Sequence, residues 1–115
     1  MKDKIDLQMM LSKTSSKRQQ TTSFALLCLG IIDPLSSGLM NTSDVIQLFF
    51  HAENCLYIQK NLNEKAAREI MSRGAQLHDL FDTLPVAEAQ QEFQRELTTM
   101  HALCLKLLQN EQIAA

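Results

Sequence analysis

Turn-making residues are scarce in this chain: three Gly and two Pro serve all 115 residues. A β-sandwich needs a turn signal every 8–12 residues or so, and Gly30, Gly38, Gly74, Pro34 and Pro85 cannot supply them. Segments this long and this uninterrupted have to be helices. The expectation is an all-α fold, a compact bundle of four main helices in a single domain over residues 1–115. A chain of this length can bury a core without metal or disulfide staples.

The apolar spacing places the helices. Residues 1–16 open with Leu7, Met10 and Leu11 on one face and then reach the polar break Ser12-Lys-Thr-Ser-Ser. They read as a loosely attached arm or a short docking helix. A first long helix is predicted over 17–38, because Phe24, Leu27, Cys28 and Ile31 keep a core spacing. Leu26 and Leu29 add apolar surface beside that stripe, which predicts a central helix. Pro34 should end or kink it, and Gly38 suits a left-handed cap. Asn41-Thr-Ser-Asp44 is a run of capping residues, so a second helix is predicted over 43–59.

Asn61 followed by Glu64 has the form of a capping box and predicts a third helix over 62–83, with Leu62, Ala66, Ile70, Gly74, Leu77 and Phe81 as its stripe. Pro85 stands where a helix start tolerates proline. A fourth helix follows over 86–110, its seam formed by Ala89, Phe93, Leu97, Met100, Cys104 and Leu107. Residues 111–115 are expected to fray.

Net charge is −2, so no overall cationic field attracts nucleic acid. Residues 1–23 carry five cations against two carboxylates, and between Arg18 and Lys60 there is no Lys or Arg. A helix-turn-helix reading of 17–59 therefore lacks the cations that reach phosphates and bases, and a plain helical hairpin is the expectation. Three scattered cysteines, Cys28, Cys55 and Cys104, without a close pair read as free thiols in a reducing cytoplasm. The amino-terminal residues do not read as a signal peptide. The longest apolar run, Phe24 to Ile32, is far short of a bilayer span of about 20 residues.

Little here points to catalysis. His51 and Cys55, His78 and Asp82, and His101 and Cys104 each stand about one helical turn apart, a spacing at which two side chains can share a metal. No two of these pairs are forced together, and Cys55 and Cys104 lie on core stripes. Phosphate-cradling Gly-rich loops and nucleophile-elbow or zinc-binding motifs are missing from the sequence. The expectation is a protein that is not an enzyme and holds neither cofactor nor metal.

Two features point to partners. Residues 74–96 hold Asp79, Asp82, Glu88, Glu92 and Glu96 against Arg95, a local balance of −4. Glu88, Glu92 and Glu96 repeat every four residues, and like charges at that spacing disfavour a helix by about 0.2–0.5 kcal/mol per pair. The bland explanation is a solvated face with a helix N-terminus behind it; the functional one is an anionic patch that reads a basic partner. The second feature is a second apolar face on the 43–59 helix: Ile46, Phe50 and Tyr57. Either that face is internal or it is an interface, and a homodimer would bury it.

The stretch Phe24-Ala-Leu-Leu-Cys-Leu-Gly30, Ser37-Gly38-Leu39-Met40 and Ser43-Asp44-Val45-Ile46-Gln47-Leu48-Phe49 resembles small helical bacterial immunity proteins encoded beside polymorphic toxins. The whole chain looks most like the immunity partners of Neisseria-type Maf toxins. That resemblance implies a cytoplasmic protein that binds a cognate toxin domain, often a nuclease, and covers its active site. It implies no nucleic-acid or membrane partner, and it carries over no functional residue.

Overall fold

A computed structural model describes residues 4–13 and 16–114, with side chains as far as residue 110. Its regular structure is helical throughout: α1 (Leu7–Leu11), α2 (Lys17–Ser36), α3 (Thr42–Leu48), α4 (Ala52–Asn61), α5 (Lys65–Ala75), α6 (Asp79–Thr83) and α7 (Val86–Ala114). The all-α bundle expected from the sequence is what the chain adopts. Its backbone is the α2–α7 pair, with α5 along the other side of α7 and the α3–α4 arm closing over both. One core runs through all of it, centred on Phe24, Cys28, Phe49, Phe50, Ile70 and Met100.

Local chemistry explains the ends of α2. The Ser16 hydroxyl accepts the Gln19 amide at 3.1 Å, the expected N-cap bond. At the other end the Leu39 amide donates to the Pro34 carbonyl at 2.9 Å and the Gly38 amide to Leu35 at 3.2 Å. This is a Schellman closure, and Gly38 sits at φ +79° to make it. Pro34 neither ends nor replaces the helix, which continues to Ser36. The carbonyl its ring deprives of a partner belongs to Gly30, which is exposed and can turn to water. The Asn41 side chain caps α3 as expected, accepting the Asp44 amide at 2.8 Å.

Two of the long predicted helices are broken. The 43–59 helix stops after Leu48 and restarts at Ala52. Adjacent residues on a continuous helix point about 100° apart, and Phe49 and Phe50 reach the core against different neighbours. Phe49 lies against Phe24 at 6.4 Å and edge-on to Phe50 at 5.0 Å between ring centroids. After it the buried positions move two residues along, from a continuation through Ala52 and Leu56 to Asn54 and Ile58. Leu56 ends up half exposed.

The 62–83 helix breaks between Ala75 and Asp79. Its predicted capping box is not formed. Asn61 is the last residue of α4, Asn63 takes a left-handed turn at φ 51°, and Glu64 flanks α5 without a side-chain cap. The fourth helix continues past Asn110 to Ala114.

The break in the α3–α4 arm also settles the amino-terminal segment. It frees the carbonyls of Leu48 and Phe49, and the chain around Ile5 uses them. The Ile5 amide donates to Leu48 O at 2.8 Å. Asn54, almost fully buried, accepts the Leu7 amide at 3.0 Å and donates to Ile5 O at 2.9 Å and Phe49 O at 2.8 Å. Leu7 and Leu11 are buried in the main core. The described part of residues 1–16 is a docked helix rather than a loose arm.

Candidate partner-binding surface

The acidic residues singled out in the sequence gather at the end of the bundle where α6 crosses the start of α7. Phe81 of α6 tilts onto Phe93 of α7 at 5.6 Å, and the Pro85 carbonyl accepts the Ala89 amide at 2.8 Å in the first turn of α7. Those two contacts fix the corner. Two grooves meet there and share Leu80 and Thr83. One, of about 470 Å³, is lined by Glu69, Arg73, Asp79 and Glu96 among others. The other, of about 720 Å³, is lined by Leu84, Glu88, Gln91 and Glu92. Asp82 is exposed beside them and lines neither. Four of the five predicted residues are thus brought together, and the fifth stands at the rim.

Pairing divides the set. Arg73, contributed by α5, donates from Nη1 to both Glu96 oxygens at 2.9 Å and from Nε to Glu69 at 2.9 Å. The Glu96 carboxylate first, and Glu69 after it, raise the Arg73 pKa above its ordinary value. Glu92 is bound by Arg95 at 2.7 Å. The repeat of like charges along α7 is therefore relieved twice, once from its own helix and once from α5.

Asp79, Asp82 and Glu88 make no ion pair among the described residues and are open to solvent. Counting Glu69, six carboxylates face two guanidinium groups, a net −4. Phe81 and Val86 stay exposed beside them, so the corner is acidic with an apolar edge.

Sequence reasoning missed Glu69 and Arg73. Their spacing is that of a helical ion pair, but the meeting of Arg73 with Glu96, 23 residues away, follows only from the packing of α5 on α7.

Of the two alternatives for the second apolar face of residues 43–59, internal or interface, the side chains take the internal one. Phe50 is 1% exposed and faces Gly74 across the α5 contact. Ile46 and Tyr57 are half-buried against the core, and the Tyr57 hydroxyl donates to Gln20 at 3.1 Å. Phe50 is a core residue, and the three do not form an exposed apolar face.

The histidine pairs do not converge either. His51 Nδ1 accepts the Asn54 amide as the cap of α4, His78 contacts Thr42 at 3.3 Å, and His101 is exposed while Cys104 is buried. Among the described residues no group of three or more His, Cys, Asp or Glu could hold a metal ion. No described helix is long and apolar enough to cross a membrane.

Comparison of the chain with protein-family models, with curated proteins and with solved structures returned no match.

Proposed function

We propose that this protein is a cytoplasmic bacterial immunity protein, not an enzyme, which neutralises a cognate toxin by covering the toxin's active site with the acidic corner. The observation that carries the reading is the concentration of open carboxylates, Asp79, Asp82 and Glu88, beside grooves and exposed apolar side chains. Nuclease toxins present basic substrate grooves. An anionic surface steers association with such a groove and selects it over other partners, while Phe81 and Val86 supply apolar area that charge alone lacks.

The test is co-expression with the domain encoded beside the gene, together with stopped-flow association in vitro. Wild-type protein protects cells. Replacing Asp79, Asp82 and Glu88 together by Lys leaves the melting temperature nearly unchanged, because exposed charges are worth little to stability. It slows association about tenfold or more at low salt and flattens the salt dependence of that rate. A folded triple variant with an unaltered on-rate and full protection would overturn the reading.

A further inference from the structure

Two of the three cysteines face each other in the core. α2 and α7 lie side by side and antiparallel, and contacts towards one end fix their register. Ser36 Oγ donates to Gln94 at 3.1 Å, and Ile32 and Asp33 share a small groove with Leu97, Thr98 and His101. One helical turn further, four residues back from Ile32 and three on from His101, the register sets Cys28 opposite Cys104.

Both are 0% exposed, and their thiols are hydrogen-bonded to each other. Cys55 stands apart on α4, half-buried, its thiol turned to the Phe50 and Met71 carbonyls at 3.8 and 3.9 Å. A single buried thiol serves a core as a small apolar group. Two thiols in contact across a helix seam are in addition the arrangement that a disulfide can join.

We propose that Cys28 and Cys104 are a redox-responsive staple set as the chain folds: two thiols where folding is reducing, a disulfide between α2 and α7 where it is oxidising. Closure removes two electrons, and the oxidant is a low-molecular-weight disulfide. One cysteine thiolate attacks a sulfur of that disulfide and expels a small thiolate. The other cysteine thiolate attacks the protein sulfur of the mixed disulfide and expels the second. The two protons lost by the cysteines end on the two small thiols released.

Burial decides when the exchange happens. With α2 and α7 packed together neither sulfur is open to an oxidant, so the reaction needs the helices apart, as they are before the core closes. Afterwards the same burial keeps reducing thiols from the bond. The staple ties the two helices that form the backbone of the bundle. Its ends are 76 residues apart, and a loop of that length takes much conformational freedom from the unfolded chain.

Chance pairing predicts a different bond. Cys28 and Cys55 are only 27 residues apart, and loop closure in an unfolded chain favours that pairing over Cys28–Cys104 by about fivefold. The full chain is therefore oxidised with a mixture of reduced and oxidised glutathione, once while refolding in buffer and once in concentrated urea. Free thiols are blocked, and the disulfides are mapped by mass spectrometry.

Refolding is expected to give mainly Cys28–Cys104 with Cys55 outside the bond, and urea mainly Cys28–Cys55. Cys55→Ser should close the Cys28–Cys104 bond to the same extent. The closed form should melt about 10 °C or more above the reduced one. A refolded chain that keeps three free thiols overturns the proposal, as does one whose pairing matches that in urea. A Cys28–Cys104 bond that lowers the melting temperature overturns it too, because the packed helices would then have to shift to close it.

Discussion

Gly30 lies inside α2 and Gly74 in the last turn of α5, and replacing each by alanine should move stability in opposite directions. A Cβ built on Gly74 falls within the van der Waals radius of the Phe50 ring, as close as 2.6 Å to its Cγ and nearer still to the edge carbons. The ring cannot swing away as a flexible side-chain tip could. It is buried and held edge-on by Phe49 at 5.0 Å. Overpacking of a core costs roughly 1–3 kcal/mol, and alanine returns about 1 kcal/mol of helix propensity. Taking the upper half of the clash range, Gly74→Ala should destabilise by about 1–2 kcal/mol, a fall in Tm of about 5–10 °C.

A Cβ on Gly30 meets nothing within 4 Å. Only the propensity gain remains there, about 0.5–1 kcal/mol and a few degrees upward. Thermal unfolding followed at 222 nm, with all variants at one low concentration, reads both. The cause is isolated by repeating Gly74→Ala in a Phe50→Leu background, where the penalty should shrink by about 1 kcal/mol as the contacting ring is lost. If Gly74→Ala raised Tm as Gly30→Ala does, or cost the same with and without the Phe50 ring, the packing that breaks the predicted 43–59 helix would be wrong.

Two further outcomes follow from buried groups. Asn54→Ala strands the Leu7 amide and the Phe49 carbonyl, while the Ile5 carbonyl keeps His51 Nε2 at 3.1 Å, and should cost about 2–3 kcal/mol. Hydrogen exchange should show the loss concentrated at α1, and protection of Leu7 equal to wild type would refute that role. Burial pushes the thiols of Cys28 and Cys55 up, and Cys28 and Cys104 have no exposed surface. In the native protein a thiol reagent should therefore modify only Cys55, slowly even at pH 8–9 as expected of a raised thiol, and all three cysteines after unfolding. Native modification of Cys28 or Cys104 at the rate of Cys55 would contradict the α2–α7 packing.

Much of what could be read in the sequence acts within about one helical turn, although the equally local Asn61–Glu64 box is not formed. The Asn41–Asp44 cap, the left-handed Gly38 and the seam from Ala89 to Leu107 depend on near neighbours, and each is found where the residues put it. The interruptions at Phe49–His51 and Gln76–His78 depend on other parts of the chain. A periodic reading of 43–59 sees one helix with two apolar faces. Burying two consecutive phenylalanines against Phe24 and Gly74 is worth more than the few backbone bonds lost. Those bonds are not wasted, since the freed carbonyls take the amide of Ile5 and the side chain of Asn54. Asn54 is the residue that local pattern reads least well, a polar side chain whose bonds are all to backbone, two of them to the distant Ile5 and Leu7.

The same limit governs the surface. Counting charges along residues 74–96 picked out carboxylates that the fold brings near one another but missed the pairing of Glu96, because Arg73 is remote in sequence and adjacent in space. Once Arg73 holds Glu96 and Arg95 holds Glu92, the folding cost assigned to the Glu88–Glu92–Glu96 repeat largely disappears and no longer argues for function. The argument shifts to the carboxylates that structure leaves open, Asp79, Asp82 and Glu88.

The apolar evidence shifts likewise. Ile46, Phe50 and Tyr57 stood out because two apolar faces on one helix must both be hidden, and here they are hidden on a broken helix. Leu26 and Leu29 did not stand out, because a central α2 would have hidden them. α2 packs against α7, α1, α3 and α5, yet Leu26 on it stays exposed. The acidic end makes its demand on the outside of the molecule, and the core cannot meet it.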